Sequence, residues 1–251
     1  MSEPDGGAGW RPFGLGDKVL GMFTGRAGGA SPAPFASLNL SRTVGDEPAA
    51  VQRNRELLAA ACGLRAEQLA WMHQVHGTEV IRISARQLPP AEPRADAIFT
   101  DVPGLALCVQ VADCAPVLIA DPEGGLVGAA HAGRAGVAAG VVPALTAAMT
   151  AAGAQPARML ARIGPAICGG CYEVPAELQD EVAAVVPAAA CRTRAGSAGI
   201  DIRAGVAAQL ASAGVAQVGM DPRCTAEDSG LYSYRRDGET GRFAGLVWLT
   251  T

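Results

Sequence analysis

The sequence predicts one α+β domain, and three observations point that way. The 251 residues are enough for one large core or at most two small ones. Hydrophobic residues make up 49% and charged residues 18%, which suits a buried core and excludes an extended disordered chain. Short apolar runs of strand length alternate with stretches of helical period, with no internal repeat and no linker long enough to divide the chain. The expected organisation is a flexible leader over residues 1–16 and one catalytic domain over 17–251.

Residues 18–24 form the first expected strand, ended by the glycine-rich turn 25–29, and Pro32 and Pro34 extend the loop that follows. Residues 46–62 read as a helix, with Asp46 as cap, Pro48 in the first turn, and Val51, Leu57, Leu58 and Cys62 at helical spacing. Residues 71–76 and 78–84 look extended on either side of Gly77. Pro89, Pro90 and Pro93 then stiffen the approach to a strand over 95–100. An apolar run over 105–111 has the character of a buried strand, is interrupted by Ala112-Asp113-Cys114, and resumes from Pro116 to Ile119. The turn Pro122-Glu123-Gly124-Gly125 predicts residues 126–130 as a hairpin partner, and an Ala-rich helix then runs to about Ala152 with Pro143 near its first turn. Helices are expected over 176–186 and 202–213, and a closing strand over 243–249.

Composition narrows the function classes. A formal net charge of −4 gives no general attraction to nucleic acid or to an anionic membrane. Of the 20 basic residues only Lys18 is lysine, a skew that in a chain so rich in Ala and Gly reads as coding bias. The N-terminus lacks a basic segment followed by an apolar one, and no apolar stretch reaches the ~18 residues of a membrane span. The expectation is a cytoplasmic protein, monomer or small homo-oligomer, whose seven cysteines are reduced thiols.

Chemistry concentrates on few residues. The three histidines, His73, His76 and His131, lie in short segments between apolar strands, and Cys114 breaks a buried run. Small neighbours (Gly77; Ala132 and Gly133) allow close approach of a ligand. Two imidazoles and a thiolate suit zinc with a fourth position open, although His76 and Cys114 are 38 positions apart and Cys114 and His131 are 17 apart, so the fold must gather them. His73 and His76 point to opposite faces of an extended segment, so three protein ligands are expected. His73 is left as a group behind a ligand, a substrate contact or a surface histidine, with substrate contact the candidate role. Cys114 and His131 are also the candidate catalytic pair, as nucleophile and base. The lone Cys168-Gly169-Gly170-Cys171 lacks a second pair at finger-like spacing and reads as a glycine turn with two incidental thiols. Gly133 to Gly136, enclosing Arg134, would aim backbone N–H groups at an anion. The polar cluster over 233–237, with Arg242 close by, reads by default as a solvated surface loop; beside that reading, Arg26 and Arg236 are the candidate phosphate anchors.

Six segments occur in an order that resembles one family: His73-Gln74-Val75-His76-Gly77, Ala95-Asp96-Ala97, Ala112-Asp113-Cys114-Ala115-Pro116-Val117, Ala130-His131-Ala132-Gly133, Gly164-Pro165-Ala166-Ile167 and Ser233-Tyr234-Arg235-Arg236-Asp237. They resemble the YfiH family, also called laccase-domain or multicopper polyphenol oxidase proteins and, in newer naming, purine nucleoside phosphorylases. The likeness runs from about residue 18 to the C-terminus. It implies a layered α/β/β/α sandwich with mixed sheets, related to cysteine hydrolases. It also implies zinc on His76, Cys114 and His131, phosphorolysis of adenosine, inosine, guanosine and methylthioadenosine, and deamination of adenosine. The partners implied are a purine nucleoside and phosphate. One departure is that the two positions after His131-Ala132-Gly133, commonly an aromatic or basic residue and then Arg, are Arg134 and Ala135 here.

Two other readings stand beside the zinc enzyme. A copper-dependent polyphenol oxidase is one; three histidines exclude a four-copper centre within one chain but leave a single His₂Cys copper site open. A cysteine hydrolase editing cytosolic cell-wall precursors, with Cys114 as a free nucleophile, is the other. A nonenzymatic binding domain is disfavoured by polar residues gathered at strand ends.

Overall fold

The computed structural model describes residues 11–84 and 91–251. Residues 1–10 of the expected leader, and Pro89 and Pro90, lie outside the described residues. The strands are β1 (Phe13–Gly14), β2 (Val19–Phe23), β3 (Leu69–Ala70), β4 (Val80–Arg82), β5 (Ala97–Thr100), β6 (Ala106–Val111), β7 (Ala115–Asp121), β8 (Leu126–Ala132), β9 (Leu160–Ile163), β10 (Ala190–Arg192), β11 (Ala198–Ile200), β12 (Gln217–Met220) and β13 (Phe243–Leu249). The helices are α1 (Pro48–Ala61), α2 (Arg134–Ala139), α3 (Val141–Ala151), α4 (Ala176–Val185), α5 (Ile202–Ser212) and the single turn α6 (Tyr234–Asp237).

Two mixed sheets form the centre. One has the order β1-β2-β13-β6-β3, the other β12-β9-β7-β8-β5-β4, and β10 and β11 make a separate ribbon. Alternation along each strand assigns its two faces. Leu107, Val109 and Val111 of β6 meet Leu118 and Ala120 of β7, Val127 and Ala129 of β8, and Phe243 and Val247 of β13 between the sheets. The opposite face of the first sheet, with Met22, Leu246 and Trp248, packs under Leu58 and Ala59 of α1. The opposite face of the second, with Val117, Ile119 and Ala130, packs under α3 and α5 through Leu145, Met149, Val206 and Leu210. The result is a mixed single-domain α/β/β/α sandwich. Each large aliphatic side chain buried in it contributes about 1.5–3 kcal/mol.

Several local expectations are corrected. Phe13–Gly14, inside the expected leader, pair antiparallel with Leu20 and Gly21, and Leu15 is buried. Asp46 does not cap α1: Glu47 is the N-cap residue, without a side-chain capping bond. The Asp46 carboxylate instead accepts hydrogen bonds from Ser31 Oγ (2.6 Å) and Asn39 Nδ2 (2.8 Å), holding the preceding loop. The Ala-rich helix is broken in two at Gly140, whose φ of 90° is left-handed and lets α3 start in a new direction. Pro143 falls in the first turn of α3, where its missing N–H has no helical partner. β9 and β12, short and partly exposed, had no apolar run strong enough to mark them.

Candidate metal centre and cavity

The register of the second sheet assembles the site. β5 and β8 pair antiparallel with Ala97 opposite Ala130, so Asp96 stands beside His131. β7 and β8 pair with Ala115 opposite Ala132, so Cys114 comes to lie across from Gly133. Cys114 also occupies the crossing from β6 in one sheet to β7 in the other, which is why the apolar run breaks at Ala112-Asp113-Cys114. His131 is the penultimate residue of β8, inside the strand and not after it.

His76 reaches the same point through a loop clamped at both ends. The Gln74 side chain donates to Gln110 O (2.7 Å) and accepts from Gln110 N (2.8 Å), fastening the loop to β6. The fully buried Asp96 carboxylate accepts from Val75 N (3.1 Å), His76 N (2.9 Å) and Gly77 N (2.7 Å). Successive amides wrapped on one anion leave His76 at φ 60° and make a small anion nest. The adjacent left-handed Asp113 (φ 95°) is held in the same manner. Its carboxylate accepts from Thr225 Oγ1 and Ser233 Oγ, each at 2.6 Å, and from Arg235 N at 2.7 Å. Strained backbone at two non-glycine residues flanking one cluster marks a place where side-chain position is over-determined.

The donor atoms of His76, Cys114 and His131 lie within 4.8 Å of one another. The His76 and His131 rings meet edge to face, with centroids 4.7 Å apart. Asp96 Oδ1 lies 2.8 Å from His131 Nδ1, which leaves Nε2 free for a ligand; a carboxylate behind a ligating imidazole sets its tautomer and raises its basicity. A Cβ at Gly133 would fall 2.9 Å from Cys114 Sγ and 3.0 Å from His76 Cδ2, so only glycine leaves room for the cluster. Two imidazoles and a thiolate gathered at a cavity wall fit a borderline-soft cation bound by three protein ligands with one position left over.

Electrostatics support that fit. Burial, the largest single influence, pushes the Cys114 thiol up, but the charge and hydrogen bonds of His131 and His76 together outweigh it and bring the thiol down to about 6. For His131 burial works downward, and the Cys114 thiolate and the Asp96 hydrogen bond carry it up to about 9. The Asp96 carboxyl, despite the opposing effect of burial, is held below its usual range by His131 and the amides of Gly77 and Val75. In metal-free protein the three groups stabilise one another's charge, and a cation on Cys114 Sγ and His131 Nε2 would take the place of the proton between them.

His76, Cys114 and His131 open on a cavity of about 550 Å³, a size common for small-molecule sites. His73, His76, Cys114 and His131 line it, as do Tyr172, Tyr234, Arg134, Arg235 and Arg242. His73 stays outside the metal-type cluster, is exposed, and makes a parallel bridge with Arg94. Arg26 and Arg236, expected as phosphate anchors, do not line this cavity. Arg236 donates to Thr225 O (2.7 Å), Asp228 O (3.1 Å) and Leu231 O (2.7 Å) and pairs with Asp237, so its guanidinium is used up in closing its own loop. Arg26 lies over the Tyr232 ring, with its Nη1 3.4 Å from Asp237. Arg235 lies over the Tyr172 ring and donates to Glu173 O. Arg242 is part-buried, and burial lowers its pKa. Asp96 is the residue to which sequence reasoning attached no role. An acid inside an otherwise apolar expected strand was the available signal.

A family model described as multi-copper polyphenol oxidoreductase laccase matches residues 21–250. A purine nucleoside phosphorylase of Streptomyces coelicolor is 52% identical over 227 residues, covering 90% of this chain and 94% of that protein. The purine nucleoside phosphorylase YfiH of Shigella flexneri is 39% identical, over 89% of this chain and 91% of its own. Among solved structures, a Neisseria meningitidis protein superposes with a TM-score of 0.85 at 38% identity, covering 94% of this chain and 96% of that one.

Proposed function

Because the chain belongs to the YfiH or laccase-domain family, matched over residues 21–250, we propose that it is a zinc-dependent purine nucleoside phosphorylase acting in the cytoplasm. Its substrates on this reading are adenosine, inosine, guanosine and methylthioadenosine, with adenosine deamination as a second activity. Relatives named purine nucleoside phosphorylase support the reaction class. The observation that carries the reading is the convergence of His76, Cys114 and His131 on a cavity whose wall also holds Arg134, Arg235 and Arg242. Among the described residues no helix is long and apolar enough to cross a membrane.

His76, Cys114 and His131 would hold the zinc, which when bound supplies a Lewis-acidic positive charge at the cavity wall. Asp96 keeps His131 in the ligating tautomer. The guanidinium groups of Arg242, Arg235 and Arg134 bind and orient the phosphate dianion. A phosphate oxygen then forms a bond to the ribose C1′ as the bond from C1′ to the purine nitrogen breaks. The departing purine takes a proton from His73, a reading supported by the exposed position of that residue on the cavity wall. Tyr172 and Tyr234 offer aromatic faces to the base. In deamination the same cavity holds the adenosine base so that a water oxygen bonds to C6 as the C6–N bond breaks, His73 passing a water proton to the amine, which leaves as ammonia.

A second reading rests on the line Cys114–His131–Asp96, an arrangement of nucleophile, base and orienting acid that suits a metal-independent thiol hydrolase. One experiment separates the two. Purified protein is analysed for zinc and copper and assayed for base release from adenosine and inosine with and without phosphate. Zinc at the cavity cluster and phosphate-dependent release are expected, and Cys114→Ala should lose both. A metal-free protein that releases no base, with an alkylatable Cys114, refutes the phosphorylase reading.

A further inference from the structure

Cys168-Gly169-Gly170-Cys171 stands alone in the sequence, but the fold gives it a partner. β9 and β12 pair in parallel, with Ile163 opposite Met220. Both strands therefore release their following loops at the same end of the sheet. Cys168 is five residues beyond Ile163, and Cys224 is four beyond Met220. Ala166 and Cys224 form a parallel bridge, and Cys168 N donates to Cys224 Sγ at 3.3 Å. The second loop has a Cys-x-x-Glu turn, Cys224 to Glu227, closed by Glu227 N donating to Cys224 O (3.1 Å). The first is closed in the same way, with Cys171 N donating to Cys168 O (2.9 Å). Two turns of equal spacing thus face each other, each offering two donor residues.

We propose that Cys168, Cys171, Cys224 and Glu227 form a second metal site, a structural zinc centre separate from the cluster at the cavity. Their four donor atoms lie within 4.8 Å of one another. Tetrahedral zinc with Zn–S bonds of about 2.3 Å needs sulfur–sulfur edges of about 3.8 Å, so a small inward movement of the side chains completes the shell. All three cysteines are free thiols, with Cys224 buried. Three thiolates and a carboxylate crowded together require compensating charge. A divalent cation removes half of it, and Arg194, which ion-pairs with Glu227 and donates to Cys171 Sγ at 3.1 Å, removes part of the rest. Soft sulfur donors select zinc over magnesium or calcium. On binding, the thiols give up their protons to solvent and no redox change occurs.

The position gives the site a purpose. The first loop carries Ile167 and Tyr172 to the cavity wall, and the second carries Thr225, whose hydroxyl holds the Asp113 carboxylate. An ion joining the loops holds that wall in register with Cys114.

The test uses Cys114→Ala in the full chain, which removes a ligand of the cavity cluster and leaves the second site untouched. Wild-type protein is expected to carry two zinc ions per chain and Cys114→Ala to keep one tightly bound. Adding Cys171→Ser or Cys224→Ser to Cys114→Ala should remove that ion. Glu227→Gln should keep it but lose it to a chelator at least tenfold faster. Should the serine variants fail to fold, cobalt-substituted Cys114→Ala decides: strong sulfur-to-cobalt charge-transfer absorption supports the site. Loss of all zinc from Cys114→Ala with no such absorption, zinc content unchanged by Cys171→Ser, or a disulfide among these cysteines in freshly purified protein would each overturn it. None of these readouts depends on the nucleoside reaction.

Discussion

Replacing Asp96 by Asn tests how the cluster is held. The carboxylate is fully buried and accepts from four donors: His131 Nδ1 and His76 N on Oδ1, Val75 N and Gly77 N on Oδ2. An amide has one acceptor oxygen, so one of these pairs of N–H groups must face an NH₂. If the NH₂ replaces Oδ2, the amides of Val75 and Gly77 lose their partner. At about 1.5–3 kcal/mol for each bond to a charged group, that costs about 3–6 kcal/mol and releases the loop carrying His76. If it replaces Oδ1, His131 must accept at Nδ1 and carry its proton on Nε2, the atom turned toward the cluster. Either way zinc affinity falls by about 10–100-fold or more, which is about 1.4–2.7 kcal/mol. Competition with a chromophoric chelator measures the affinity, and thermal melts of metal-free protein measure the stability. Unchanged zinc affinity together with an unchanged melting temperature would refute the role given to Asp96.

Gly133→Ala places a methyl group 2.9 Å from Cys114 Sγ; zinc binding should fall by at least tenfold while circular dichroism keeps its native form. In metal-free protein, Cys114 should react with iodoacetamide with a midpoint near pH 6, against about 8.5 for a free thiol. Because the folded thiol is depressed, its stabilising contribution is full above about pH 8.5 and lost as pH falls through about 6. His131, raised to about 9, contributes fully below about pH 6.5 and loses that contribution as pH rises through about 9. Metal-free stability should therefore be greatest between these limits, and a flat profile would contradict the Cys114–His131 pair. Arg242→Ala should raise the KM for phosphate by about tenfold or more, and the loss of its two bonds to Thr240 O and Gly241 O should lower stability by about 1–3 kcal/mol. Arg236→Ala should lower stability by about 2–4 kcal/mol through the loop it ties but, unlike Arg242→Ala, leave the phosphate KM within about twofold.

The apolar runs of β6, β7, β8 and β13 were legible because each is long and buried on both faces. α1, α4 and α5 were legible from helical spacing within two or three residues of their ends. The scarcity of histidine and the break at Asp113-Cys114 singled out His76, Cys114 and His131, and their motifs carried the family. Sequence alone could not bring them together, because positions 38 and 17 residues apart meet only through strand register. Nor could it rank the arginines. Arg236 and Arg242 stand in the same polar neighbourhood and both donate to backbone carbonyls, but only Arg242 lines the cavity, which is decided by packing. The same holds for Cys168-Gly169-Gly170-Cys171, whose answering turn at Cys224 and Glu227 lies across a parallel strand pair. Local chemistry is written along the chain; which donors share a point in space is set by sheet pairing, a property of residues distant in sequence.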